Sequence, residues 1–220
     1  MKKLLNGIID FRKNVLPSCR ETFSRLALGQ SPDSLFFACS DSRVAVNLFA
    51  SADPGDLFVV RNVGNLVPPC GERGVSTADE SEAAAIEFAL TNLKVSDIIV
   101  CGHSECGAMQ ALIHGRETIS SPNLRAWLRH GEASRSKLGG FHAQGLSEHN
   151  ELSQANVLQQ IEHLKTYPVV RERVFDRSLR IHGWWFELSR AEVYAFEEEA
   201  GRFVLIDEDE ATRILRRLEE

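Results

Sequence analysis

Four side chains at short, matched spacings could carry chemistry: Cys39 and Asp41 in Cys39-Ser40-Asp41-Ser42-Arg43, and His103 and Cys106 in Gly102-His103-Ser104-Glu105-Cys106-Gly107. Two thiolates, an imidazole and a carboxylate suit Zn2+, with bonds of about 2.3 Å to sulfur and about 2.0–2.2 Å to nitrogen or oxygen. Cys106 stands where a helix should begin, and the positive end of that helix dipole would draw its thiol toward thiolate. The C-x-D…H-x-x-C pattern also has a plainer reading, in which two strand-end cysteines and a satisfied histidine are simply packed. What separates the two readings is whether the fold brings the two short motifs together.

The elements that must do so alternate along the chain. The apolar run Leu35 to Cys39 reads as a buried strand that ends in Ser40-Asp41-Ser42, with a short helical stretch from Val44. Leu57 to Val60 is a second strand, closed by Arg61-Asn62-Val63-Gly64-Asn65. An Ala-rich helix follows over about 77–93, with Asp79, Glu80 and Glu82 in its first turns where the dipole favours acids. Asp97 to Cys101 is a third strand, opening into a helix through about Ile113. Strand-loop-helix units of this kind predict a parallel sheet covered by helices on both faces, with sites at the carboxyl ends of the strands. Cys39 and His103 both end strands, so one sheet edge can gather all four side chains.

The remainder frames this core. Leu4, Ile8, Phe11 and Val15 recur at helical spacing and 20–28 reads as a second helix, making an amphipathic arm that needs something to lie on. After residue 120 the chain reads as mostly helical, over 123–130, 132–138 and 148–165, the last with Leu152, Val157, Leu158, Ile161 and Leu164 on its buried side. A strand over 179–186 and a hairpin over 193–196 and 203–206 finish the sheet. The expected class is α/β: a mostly parallel central sheet flanked by helices, with an N-terminal helical arm and a C-terminal helical region. One domain is expected over 1–220, divided into the arm 1–29, the core 30–206 and a helix over 207–220.

Composition narrows the function. With 220 residues, 25 Lys plus Arg and 31 Asp plus Glu, the formal net charge of −6 offers no basic surface for phosphates, which argues against nucleic acid or an anionic membrane as partner. No apolar run approaches the ~18 residues of a membrane span. Met1-Lys2-Lys3-Leu4-Leu5 imitates a signal peptide, but Asn6, Asp10, Arg12 and Lys13 break the apolar region, so a cytoplasmic protein is expected. The five cysteines show no disulfide spacing; Cys19, Cys70 and Cys101 are read as packing or free thiols.

Cys39-Ser40-Asp41-Ser42-Arg43, then Gly55-Asp56-Leu57-Phe58-Val59-Val60-Arg61-Asn62, then Gly102-His103-Ser104-Glu105-Cys106-Gly107 resemble, in order and spacing, the successive motifs of the β-class carbonic anhydrases. The likeness extends weakly from the arm to Ile181-His182-Gly183-Trp184. It implies one Zn2+ per chain held by Cys39, His103 and Cys106, with zinc-bound hydroxide converting carbon dioxide reversibly to bicarbonate and a proton. Two thiolates neutralise the metal charge, so activity should favour alkaline pH.

Asp41 lies two residues from a ligand and could close the site as a fourth ligand. Arg43 prevents this if its guanidinium pairs with Asp41, leaving that carboxylate to orient the hydroxide; the plainer reading is an ordinary surface ion pair. The resemblance further assigns Gln30 to a substrate oxygen and Phe58, Val63 and Phe88 to an apolar pocket, Phe88 standing where plant-type members commonly have Tyr. The Gly107 N–H, at the helix start, is an added candidate for binding the negative oxygen. Some bacterial members bind bicarbonate outside the active site through a Trp, an Arg and a Tyr. Arg61 matches, but Phe36 and Phe186 replace the other two, so that regulation is not expected.

The family's sites lie near a subunit interface, so a homodimer or tetramer with the arm wrapping a neighbour is expected. Alternatives on the same residues are a carbon disulfide or carbonyl sulfide hydrolase, and a noncatalytic zinc protein with Asp41 permanently on the metal. His114, His130, His142, His149 and His163 lack ligand spacing, and Trp184 and Trp185 read as core or interface.

Overall fold

The computed structural model describes residues 1–72, 74–78, 80–139 and 145–219, so Asp79 and His142 lie outside the described residues. The arm is α1 (Lys2–Asp10), a wider π-wound stretch Phe11–Val15, and α2 (Leu16–Leu26). Pro17 explains the widening: it has no N–H to donate back to the preceding turn and its ring crowds the carbonyl there. The second arm helix thus starts earlier than its expected residue 20.

Strand β1 (Ser34–Cys39) leads to α3 (Val46–Phe49), β2 (Leu57–Asn62) and α4 (Ser81–Glu87), which continues as a π-wound segment Phe88–Leu93. Then come β3 (Asp97–His103), α5 (Gly107–His114), α6 (Pro122–Trp127) and a 3-10 segment Leu128–Lys137. The long α7 (Glu148–Leu164) is followed by α8 (Pro168–Phe175), a separate helix that starts on a proline and lies outside the expected helical segments. Strands β4 (Arg180–Glu187), β5 (Glu192–Glu197) and β6 (Arg202–Leu205) precede α9 (Glu208–Glu219).

The sheet runs β2-β1-β3-β4-β5-β6, with β2, β1, β3 and β4 parallel and the β4-β5-β6 meander antiparallel. Register pairs Ala38 with Cys101 and Cys39 with Asn62, so the carboxyl ends of β1, β2 and β3 are level with one another. That is what brings residues 39–43, 62–65 and 103–106 to one edge.

The two faces are covered unequally. Leu35, Phe37, Ile98, Val100 and Ile181 pack under α4, α7 and α8 through Ile86, Val157 and Val170. At Gly102 and Gly183 an added Cβ would meet Val157 at 2.8 and 3.1 Å, so glycine is what lets α7 lie close on β3 and β4. On the other face, Phe36, Ala38, Ile99, Cys101 and Phe186 pack with Val44 and Val46, beside the short α3. The expectation of helices on both faces therefore holds strongly for one face only among the described residues.

Most of the arm's apolar face is exposed, Leu4 to 66% and Ile8 to 57%, and α2 meets the rest of the chain near its end, where Leu26 lies against Gly55. Beyond the sheet, α9 is held by Arg217 to Glu197 and by Arg180 to the Leu218 carbonyl, at 2.8 and 3.1 Å. Arg180 also grips both oxygens of Asp97 at 2.8 Å, and His182 Nε2 lies 2.8 Å from Oδ1. Burial pushes the Asp97 carboxyl up, but hydrogen bonds from His182, Arg180 and Ser96 prevail and hold it well below the usual carboxylate range. No helix among the described residues is long and apolar enough to cross a membrane.

Candidate metal centre

Three elements aim their ends at one point. Cys39 terminates β1, and its carbonyl is gripped by the Arg61 guanidinium at 3.0 and 2.9 Å, which also reaches the Asp41 carbonyl at 2.7 Å. His103 terminates β3. The turn after it passes through Glu105 at φ +56°, a left-handed conformation uncommon for a residue with a side chain, and then Cys106 caps α5 from an extended backbone. This reversal sends Cys106 back toward Cys39.

The ligand atoms of Cys39, His103 and Cys106 lie within 4.8 Å of one another, all three residues buried. His103 Nδ1 is 2.8 Å from the Ser104 carbonyl, which can only accept, so Nδ1 carries the proton. The opposite nitrogen, Nε2, is buried and has no hydrogen-bond partner among the described residues. A buried lone pair left unmatched is costly, and beside two thiols it has the arrangement of a metal ligand.

Charge supports the same conclusion. The Cys39 thiol is drawn well down, first by the hydrogen bond from Cys106 and also by the Gly64 and Asp41 N–H groups, against burial. Cys106 is instead pushed up, first by Cys39 and then by burial. The helix start acts on Cys106 in the expected direction, the N–H groups of Met109 and Ala108 drawing it down, while the adjoining Cys39 opposes them. Two buried thiolates this close repel one another, and a cation between them relieves that repulsion.

Asp41 sits beside this cluster with its carboxylate turned to Arg43. Oδ1 accepts from Arg43 Nε at 2.9 Å and from the Arg43 backbone N–H at 2.9 Å, while Oδ2 accepts from Nη2 at 2.7 Å. The guanidinium holds the carboxyl well below its ordinary range. Arg43 Nη2 donates also to the Glu105 carbonyl at 3.0 Å, tying the β1 turn to the turn that precedes Cys106.

A family model described as carbonic anhydrase matches residues 34–193. The chain belongs to the β-class carbonic anhydrases. It is 41% identical over 213 residues to a carbonic anhydrase of Synechococcus elongatus, covering 94% of this chain and 76% of that one. Against a carbonic anhydrase of Pseudomonas aeruginosa it is 36% identical over 216 residues, 97% of this chain and 95% of the relative. Among solved structures it is similar to the β-carbonic anhydrase CcaA, with TM-score 0.86, 38% identity and coverage of 93% and 98% of the two chains. A β-carbonic anhydrase of Sordaria macrospora, described as tetrameric, matches at TM-score 0.75 and 28% identity over 88% of this chain and 95% of that one. The protein is therefore a carbonic anhydrase-type enzyme.

As a β-carbonic anhydrase the chain supplies only part of the expected pocket at its own metal cluster. Val63, 43% exposed, adjoins Gly64, whose N–H points to Cys39 Sγ at 3.4 Å. Gly107 begins α5 with open space where a Cβ would be. Gln30, Phe58 and Phe88 are elsewhere. Gln30 precedes β1 and lines a cavity of about 540 Å³ with Thr22, Arg25, Asp53 and Gly55, a strand length of roughly 16 Å from Cys39 at ~3.3 Å per residue. Phe58 pairs in register with Leu35 near the amino end of the sheet, and its ring centroid is 5.8 Å from that of Phe88.

At the positions matched to the bicarbonate-binding trio, Phe49 lies between Phe36 and Phe186, with centroids 6.3 and 4.5 Å away, and Arg61 is committed to the β1 turn. Residues that sequence reasoning missed include Asn150, Ser153 and Asn156 of α7. Ser153 Oγ donates to the His103 carbonyl at 2.8 Å, and Asn156 Nδ2 to the Gly64 carbonyl at 3.1 Å. The signal available was polar residues at helical spacing within the face that buries Leu152 and Val157.

Proposed function

We propose that the protein hydrates carbon dioxide reversibly to bicarbonate and a proton, using one Zn2+ per chain held by Cys39, His103 and Cys106. The observation that carries this reading is the buried, unmatched His103 Nε2 facing two thiols. Two sulfurs and one nitrogen are a donor set suited to zinc and leave a fourth position open. When bound there, the ion acts as a Lewis acid and lowers the pKa of water toward neutrality.

The chain's own residues do the rest. Asp41 stays ionised because Arg43 holds it, and Arg43 keeps its carboxylate turned aside. Oδ1 accepts two N–H donors and Oδ2 one, so Oδ2 retains a lone pair able to accept the O–H of the attacking water and orient it toward substrate. Val63 gives the nonpolar substrate an apolar wall. The Gly107 N–H, at the amino end of α5, offers a donor to the oxygen that gains negative charge.

We further propose a homodimer or tetramer of single-domain subunits working in the cytoplasm. Support comes from the exposed apolar face of the arm and from the position of Gln30, Phe58 and Phe88, which serve a site only if a second copy presents them to it. Stopped-flow carbon dioxide hydration by the zinc-loaded protein tests the reaction, and hydrogen sulfide release from carbonyl sulfide separates it from hydrolysis of that substrate.

A further inference from the structure

Helix α7 carries a line of buried polar residues, Asn150, Ser153, Asn156 and Gln160, spaced three, three and four apart, that the reaction above leaves unused. Each reaches a different loop. Ser153 and Asn156 meet the His103 and Gly64 carbonyls, and Gln160 Oε1 accepts the Val67 N–H at 2.8 Å. Asn150 is the one that leads to the Asp41–Arg43 pair. Its Oδ1 accepts the Glu105 backbone N–H at 2.8 Å, and its Nδ2 donates to Glu105 Oε1 at 3.1 Å.

This double contact grips a residue in a conformation it would not adopt freely. Glu105 lies at φ +56°, and releasing its N–H and carboxylate would let the turn relax toward ordinary backbone. The Glu105 carbonyl is the third anchor of the Arg43 guanidinium, whose other two contacts are the Asp41 oxygens. His149 Nε2 also lies 3.1 Å from Glu105 Oε2, but that contact is with a half-exposed carboxylate and leaves the backbone free.

We propose that Asn150 is a positioning residue for the Asp41–Arg43 pair: by holding Glu105 in its left-handed turn it places the carbonyl on which Arg43 rests, and so keeps Asp41 directed at the attacking water. The inference deepens the hydration reading and rests on it for the role of Asp41.

The test uses the full zinc-loaded chain with three variants: Asn150→Ala, Asn150→Asp, and Asn150→Asp combined with Glu105→Gln. Asn150→Asp keeps an acceptor for the Glu105 N–H but loses the donor to its carboxylate; adding Glu105→Gln restores the donor–acceptor pair in reverse. Zinc content, the exchange rate of the Arg43 Nε–H by NMR, and kcat/KM are read together. The expected result for Asn150→Ala is full zinc with Nε–H exchange about three- to tenfold faster. Its kcat/KM should fall about ten- to hundredfold, as misplacement of a reacting group does. Asn150→Asp should behave alike, and the double variant should recover most of both losses. Unchanged Nε–H exchange in zinc-loaded Asn150→Ala or Asn150→Asp overturns the proposal, as does a loss of activity that follows zinc loss. If the parent protein hydrates no carbon dioxide, the hydration reading fails, while Nε–H exchange still decides whether Asn150 positions Arg43.

Discussion

The Arg43 guanidinium takes both oxygens of Asp41, at 2.9 and 2.7 Å, on the rim of a cluster whose three ligand atoms lie within 4.8 Å of one another. A carboxylate two residues from a ligating cysteine would otherwise be a natural fourth ligand. The fork converts it into an oriented acceptor, because a bidentate ion pair fixes the plane of the carboxylate as well as its charge.

The two halves of the pair should therefore fail in the same way. Asp41→Asn and Arg43→Ala are each expected to keep a full complement of zinc and lose about 100-fold or more in kcat, in line with removal of a positioned proton acceptor. Metal analysis beside stopped-flow turnover checks this; zinc loss in proportion to activity would show that Asp41 and Arg43 belong to the metal's hold instead.

Cys106→Ala should separate from both. It removes a ligand and leaves His103 Nε2 and the Cys39 thiolate without a cation, so metal content should fall below one-tenth and the thermal midpoint should drop. Chelation of the parent protein should lower its midpoint in the same direction, whereas the chelated and untreated variant should unfold alike.

Acid stability should follow Asp97. Its carboxyl is held below the usual range in the fold, so its contribution is present above the unfolded carboxylate value of about 4 and fades as pH falls below it. Asp97→Asn should cost about 1–3 kcal/mol at pH 7, because Arg180 and His182 lose a charged partner. By urea unfolding, the gap between variant and parent should shrink at pH 3.5; a gap independent of pH would remove Asp97 from the account.

Gly102→Ala tests the seat of His103. Its Cβ would come 2.8 Å from Val157 Cγ2 and 3.2 Å from the Ser153 carbonyl, so α7 must shift from β3. Overpacking of this kind costs about 1–3 kcal/mol and is read by urea unfolding; because Ser153 also holds the His103 carbonyl, zinc affinity should weaken with it.

Much of this is legible in the amino-acid sequence. Apolar runs ending at Cys39 and at the Gly102-His103 turn marked parallel strands, and parallel strands place their carboxyl ends on one edge, so the convergence of Cys39, His103 and Cys106 follows from chain order and register. The place of Gln30, Phe58 and Phe88 is less legible: within one chain they stand toward the amino end of the sheet, a strand's length from Cys39, and a linear sequence does not say whether a second copy supplies them to the site. The α7 polar line was hidden for another reason: Asn150 and Asn156 gain their roles only from loops 45 and 92 residues away, and no local pattern encodes those partners. Pro168 is the local signal for α8, a proline at a first helical turn being favourable there.

The central claim is tested most directly by stopped-flow hydration of carbon dioxide at pH 8.5 with the protein loaded to one zinc per chain. The expected result is turnover that scales with zinc content, disappears on chelation and returns when zinc is restored. A fully zinc-loaded, folded protein that leaves the rate at the uncatalysed level would contradict it.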